Sequence, residues 1–175
     1  YIAKEKIKFQ DSYDDLTKTA NKKTLFTFIE RSIIQYSDQL ECTIPAALLV
    51  IDIDFFNKFN SLYSHAFGDE VLMQVSSRLQ SLIRSSDLVA RTSGDNFALF
   101  INHIANQDSI VYFIDKVTNA FMQPFVIEGI NIKITLSIGV ACFRQDAQDV
   151  HRLFEKAEQA MFAAKDNGRN SYEFY

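Results

Sequence analysis

From Ala46 to Asp54 the chain reads Ala-Ala-Leu-Leu-Val-Ile-Asp-Ile-Asp, apolar without a break until the carboxylates arrive. Such a run lacks the alternation of a half-exposed strand and predicts a central strand covered on both faces. Pro45 marks its start. Helical spacing appears on either side of it. Leu25, Phe28, Ile29 and Ile33 or Ile34 share a face of a helix predicted from Asn21 to about Ser37. Val71, Leu72, Val75, Leu79 and Leu82 do so from Gly68 to about Ile83. Two more helices are predicted, from Asp108 to about Met122 and from Asp149 to Asp166, the last ended by Gly168. Leu88 to Thr92 and Phe97 to Ile101 flank Ser93-Gly94-Asp95-Asn96 as a hairpin. Phe125 to Ile127 and Ile132 to Phe143 flank Glu128-Gly129 as a second hairpin, and Ser171 to Tyr175 adds an edge strand. Two hairpins make the sheet largely antiparallel. The class is therefore α+β, a single domain with helices over the sheet, and not a doubly wound dinucleotide fold. Residues 1–13 read as a linker or the end of a preceding helix, and 14–175 as the domain.

A chain of 175 residues is long enough to bury about two thirds of its unfolded surface. Its net charge of -4 argues against a nucleic-acid-binding surface but leaves mononucleotides open, since a local basic cluster can hold phosphate. Cys42 and Cys142 form no metal-spacing motif and read as buried small hydrophobes in a reducing compartment. No apolar run reaches the roughly 18 residues of a membrane span, and no signal peptide is visible. The chain opens on Tyr1 and reads as a cytoplasmic fragment whose parent protein has room for a membrane anchor outside it.

Asp52 and Asp54 lie at i and i+2, so both project from one face of the predicted strand. Asp95 sits on the hairpin turn, where an adjacent strand would bring it beside Asp52. Two readings stand. Carboxylates from separate elements, supplemented by a backbone carbonyl such as that of Ile53, suit Mg²⁺ bridging phosphate oxygens. Alternatively Asp52 and Asp54 close a strand end and Asp95 stabilises its own turn. Lys165 and Arg169 near the end of the last helix are open in the same way. They complement the helix dipole or, if the fold carries them to Asp52, hold phosphate.

Several ordered motifs together resemble the GGDEF domain of the diguanylate cyclase family over 14–175. Asp14-Asp15-Leu16-Thr17-Lys18-Thr19-Ala20-Asn21-Lys22-Lys23 resembles the family's D-x-L-T-G-L-x-N-R-R, with the Gly-Leu and Arg-Arg pairs altered. Asp52-Ile53-Asp54-Phe55-Phe56-Asn57-Lys58-Phe59-Asn60-Ser61 resembles D-I-D-x-F-K-x-I-N-D, and Ser64-His65-Ala66-Phe67-Gly68-Asp69 resembles G-H-x-x-G-D. Ser93-Gly94-Asp95-Asn96-Phe97 stands in the signature turn. Ser137-Ile138-Gly139-Val140 and Ala164-Lys165-Asp166-Asn167-Gly168-Arg169-Asn170 complete the set.

The resemblance implies a cyclase-palm fold with a central five-stranded, mostly antiparallel sheet, and the joining of two GTP into cyclic di-GMP with release of two pyrophosphates. It implies Mg²⁺ or Mn²⁺ on Asp52, Asp95 and the Ile53 carbonyl. Asn60 and Asp69 would read guanine, Lys165 and Arg169 would grip the phosphates, and Asp52, Asp95 and Asn96 would occupy the catalytic positions. Arg84 and Asp87 resemble the family's R-x-x-D product-inhibition site for cyclic di-GMP, and equally read as a helix-end Arg followed by a turn Asp. One GTP per domain implies a two-fold homodimer in the full-length protein. The ending from Gly168 to Tyr175 resembles the junction to a C-terminal EAL phosphodiesterase domain.

The chain departs from the pattern where chemistry would be decided. Ser93 stands for the first Gly of the turn, Asn96 for its fourth residue, an acid, and Asn57 for a Lys. Ser61 and Ser64 replace an Asp and a Gly of the same loop. Three readings follow: a degenerate GGDEF domain that binds GTP and regulates a larger protein, a working cyclase, or a protein-interaction module with a vestigial pocket.

Overall fold

The computed structural model describes residues 11–37 and 44–175. Cys42 and the first ten residues of the linker segment lie outside them. Strand β2, Ala46–Ile53, is buried at every residue. It pairs antiparallel with β4, Asn96–Asn102, on one side and β7, Leu136–Cys142, on the other. Strand β3, Leu88–Ser93, pairs antiparallel with β4, with a register shift between Arg91 and Ser93. Parallel strands close both edges: the two-residue β1, Ala20–Asn21, beside β3, and β8, Ser171–Phe174, beside β7. The order is β1-β3-β4-β2-β7-β8. Apart from the short β1, this is the five-stranded, mostly antiparallel sheet that the family resemblance implies.

The uninterrupted apolar run of β2 is explained by its two covered faces. Leu49, Ile51 and Ile53 pack with Val71, Val75 and Leu79 of α3, His65–Leu82, and Ile114 and Val117 of α4, Gln107–Met122. Ala46, Leu48 and Val50 face Leu25 and Ile29 of α1, Lys22–Tyr36, and Leu153, Ala157 and Met161 of α5, Val150–Asp166. Helix α5 lies close against β7. A Cβ on Gly139 would overlap the Ala157 carbonyl and the Met161 amide, so only glycine allows the approach.

Side-chain caps set the helix starts. Asn21, Ser64, Asn106 and Asp149 accept from the amides of Thr24, Phe67, Ser109 and Arg152. The Ser64 cap starts α3 three residues before the Gly68 expected to open it. A seven-residue helix α2, Phe56–Leu62, follows β2 where none was expected; it is shorter than a periodicity signal can register. The second hairpin also differs. Strands β5, Phe125–Ile127, and β6, Ile130–Ile132, form their own small sheet, and β7 starts afresh at Leu136. Arg78 on α3 fixes this hairpin: it donates to the carbonyls of Ala120, Gln123 and Pro124 and lies 3.4 Å from the Phe125 ring centroid. Residues 11–13 join the fold, the Ser12 carbonyl accepting from the Asn21 amide and Tyr13 bridging to Ala20.

Candidate functional site

The C-terminal end of β2 gathers residues from three other parts of the chain. Asp52 is the cross-strand partner of Asn96, and the Ile53 amide donates to the Asp95 carbonyl at 3.4 Å. The β3–β4 turn therefore lies directly over the end of β2. Helix α5 runs back along the same face and delivers Lys165, whose Nζ is 3.2 Å from the buried Asp52 carboxylate. Burial, then the charges of Asp95 and Asp54, push the Asp52 carboxyl above its ordinary range; Lys165 opposes them and loses. One ammonium is too little charge for three carboxylates.

Asp54 has a different task. It is buried and accepts from Thr135 Oγ1 and Ser137 Oγ, both at 2.6 Å, and from the Asn170 amide at 2.9 Å. All of its partners are neutral donors within the fold, so it ties the end of β2 to the turn after α5. That turn carries Arg169, whose guanidinium lies 4.9 Å from the Phe55 ring centroid. The guanine-reading pair implied by the resemblance sits on α2 and α3. Asn60 projects over Gly68, where an added Cβ would overlap its Oδ1, and Asp69 is the exposed next residue.

Asn96 is the odd member of the site. Its amide nitrogen reaches Ser93 Oγ at 3.4 Å, while its Oδ1 is buried with no hydrogen-bond partner among the described residues. An orphaned acceptor costs free energy in the folded state, and a cation or donor at this point would relieve it. Among the described residues no cluster of three or more His, Cys, Asp and Glu forms a metal cage. The available donor set is instead two carboxylates, a carbonyl and this amide oxygen, hard oxygen ligands that suit a divalent cation keeping waters and phosphate in its shell.

Arg91 has no place in the expected site yet organises it. It donates to the Gly94 carbonyl at 2.8 Å and to both Asp14 oxygens at 3.2 Å, locking the turn to the segment before α1. Burial raises the Asp14 carboxyl, but the Thr17 amide and hydroxyl together with Arg91 outweigh it and hold the group low. The signal was a lone Arg two residues before the turn, which spacing cannot connect to an acid near the start of the chain.

Arg84 and Asp87 lie at the other end of β4, roughly 20 Å from Asn96 at 3.3 Å per residue. Asp87 is buried and accepts from the Arg84 and Asn102 amides, while the Arg84 side chain returns to Asp87 and to the Asn102 carbonyl at 2.6 Å. The pair also lines a cavity of about 620 Å³ with His103, Tyr112 and Lys116. Cys142 is buried, its thiol pushed up to about 12 by burial and by Asp146, which leaves it inert. No helix among the described residues is long and apolar enough to cross a membrane.

A palm-like sheet with an acidic turn over its central strand limits the candidates, and the sequence profile described as "Diguanylate cyclase, GGDEF domain" matches residues 11–171. The chain belongs to the GGDEF domain family. It is a domain of the kind found in proteins of cyclic di-GMP metabolism. The bifunctional diguanylate cyclase/cyclic di-GMP phosphodiesterase MucR of Pseudomonas aeruginosa is 34% identical to it over 163 residues, 93% of this chain and 23% of MucR. Diguanylate cyclase A of Treponema denticola is 29% identical over 90% of this chain and 42% of its own length. The chain thus spans less than half of these relatives. The crystal structure of the GGDEF domain of TpbB (YfiN) from P. aeruginosa superposes with a TM-score of 0.86 at 28% identity, covering 90% of this chain and 97% of that one.

Proposed function

We propose that this GGDEF domain binds GTP with Mg²⁺ or Mn²⁺ at the end of β2, turns it over poorly if at all, and regulates a larger protein. The observation that carries the reading is Asp52, buried beside Asp95 and Asp54 with one lysine to offset them. Such a site is improved by a cation. Asp52, Asp95 and the Ile53 carbonyl would hold the metal, which when bound would neutralise phosphate charge and stabilise charge developing at phosphorus. Asn60 and Asp69 would pair with the guanine edge, and Lys165 and Arg169 would take the phosphates. Cyclisation has one GTP's 3′ hydroxyl attack the other's α-phosphorus as pyrophosphate leaves, and the 3′ proton needs an acceptor. Asn96 can accept a hydrogen bond but is no base at neutral pH, so the chemical step suffers while binding persists.

Kinship with MucR, a bifunctional cyclase and phosphodiesterase, supports a phosphodiesterase domain elsewhere in the parent protein, of the EAL kind that the chain's ending resembles. The exposed Arg84 side chain at its cavity supports cyclic di-GMP as a second ligand. Calorimetry tests the reading. Mg²⁺-dependent binding of GTP and weaker binding of ATP are expected, with Arg84→Ala abolishing cyclic di-GMP binding and sparing GTP. Equal binding of GTP and ATP, or none, would leave the interaction module as the better account.

A further inference from the structure

We propose that Lys58 and Arg169, gathered around the exposed ring of Phe55, form a two-cation clamp for the terminal phosphates. Lys58 thereby supplies the positive charge that Asn57 lacks. The proposal rests on the GTP reading and adds a residue that no motif points to.

The observations begin with the backbone. Phe55, Arg169 and Asn170 all have positive φ, at 58°, 63° and 45°, and none is glycine. Each such residue is strained and persists only where its surroundings over-determine it. Here the surroundings are Asp54, whose bond from the Asn170 amide welds the residue before Phe55 to the residue after Arg169. The outcome of that strained pair of turns is an aromatic ring 52% exposed at the mouth of the site. Lys58 Nζ stands 4.3 Å from its centroid and the Arg169 guanidinium 4.9 Å. Advancing one residue along a helix swings a side chain by about 100°, so Lys58 would not by itself point where a lysine at 57 does. The ring draws it back toward Arg169.

Charge completes the case. Lys165 is already paired with Asp52, whereas neither Lys58 nor Arg169 has a carboxylate within ion-pair distance among the described residues. Two cations on one ring repel each other, and an anion bridging them removes the repulsion and gains charge-assisted hydrogen bonds from both. Two cations held against one ring offer separate donor groups to two linked phosphoryl groups. The ligand class is therefore a di- or triphosphate.

The test is calorimetry of the folded protein, checked by circular dichroism, with Mg²⁺–GTP, GMP and inorganic pyrophosphate. Lys58→Ala is expected to weaken GTP and pyrophosphate about tenfold and leave GMP unchanged, in keeping with the loss of one charge-assisted contact. Lys58→Arg should restore most of the loss, as should Asn57→Lys added to Lys58→Ala. Unchanged affinity of Lys58→Ala for GTP and pyrophosphate would overturn the clamp and leave a surface lysine resting on an aromatic ring. Pyrophosphate binding that depends on Lys58, without GTP binding, would keep the clamp and sink the GTP reading. Binding of neither by the unmodified protein would overturn both.

Discussion

Asp52 lies buried at the end of the central strand, with the charges of Asp95 and Asp54 around it and Lys165 3.2 Å away. Its carboxyl is raised above the ordinary value near 3.9 because burial and its acidic neighbours outweigh the lysine. A raised acid favours folding in its protonated form. That contribution is complete below the unfolded pKa and is lost as pH rises through the folded one. Asp52→Asn should therefore raise the melting temperature at pH 7, with the gain shrinking as pH falls toward 4. The same variant should lose the melting shift produced by Mg²⁺–GTP, which any ligand selective for the folded state confers. Melting curves across pH, with and without Mg²⁺–GTP, check both halves. A variant less stable than the unmodified protein at pH 7 would mean that the Lys165 pair dominates.

Helices α2 and α3 meet where Gly68 faces Asn60, and on the proposed reading this contact sets whether Asn60 can pair with guanine. A methyl at position 68 would overlap Asn60 Oδ1 and come within 3.0 Å of its Cγ and 3.3 Å of Phe56 Cζ. The obstacle is the end of a flexible side chain, so the fold can yield by swinging Asn60 aside. Alanine also favours the helix by about 0.8–1 kcal/mol over glycine, which offsets part of the cost. Gly68→Ala should thus leave urea stability within about 1 kcal/mol of the original. Its preference for GTP over ATP should fall about tenfold, because a displaced amide leaves guanine groups unpaired. Measuring both quantities on one preparation separates this from general damage: lost stability with retained preference would place Asn60 outside the guanine site.

For the whole molecule, one domain presents one copy of each candidate group, and joining two GTP needs two domains face to face across a two-fold axis. The isolated domain should yield little or no cyclic di-GMP, and tethering it to an obligate dimer should help only modestly. Losing one strong transition-state interaction costs about 3 kcal/mol, over a hundredfold in rate, and on the proposed reading Asn96 removes one. Asn96→Glu in the tethered form should therefore raise product formation well above the unmodified tethered protein, as read by nucleotide chromatography. Robust product from the unmodified tethered domain would make this a working cyclase.

The central strand was legible because burial on both faces leaves no room for polar alternation, and Ala46–Ile53 shows none. The four long helices were legible through the 3.6-residue spacing of their buried faces, and the site's acidic turn through Gly and Asp between two apolar runs. The short α2 was not, being too short for a repeated pattern, nor were the early start of α3 and the detached β5–β6 hairpin, which depend on a single cap and a single arginine. The site divides the same way. Asp52 and Asp95 could be named from where strands end, but the adjacency of Asp52 to Lys165, 113 residues further on, exists only once α5 folds back against Gly139. Asp54 as an internal tether, Arg91 as the lock between the turn and Asp14, and Arg169 against the Phe55 ring are products of tertiary structure alone. Hydrogen bonds and ring contacts act at a few ångströms in space, and no local pattern of residues encodes which distant partner will arrive there.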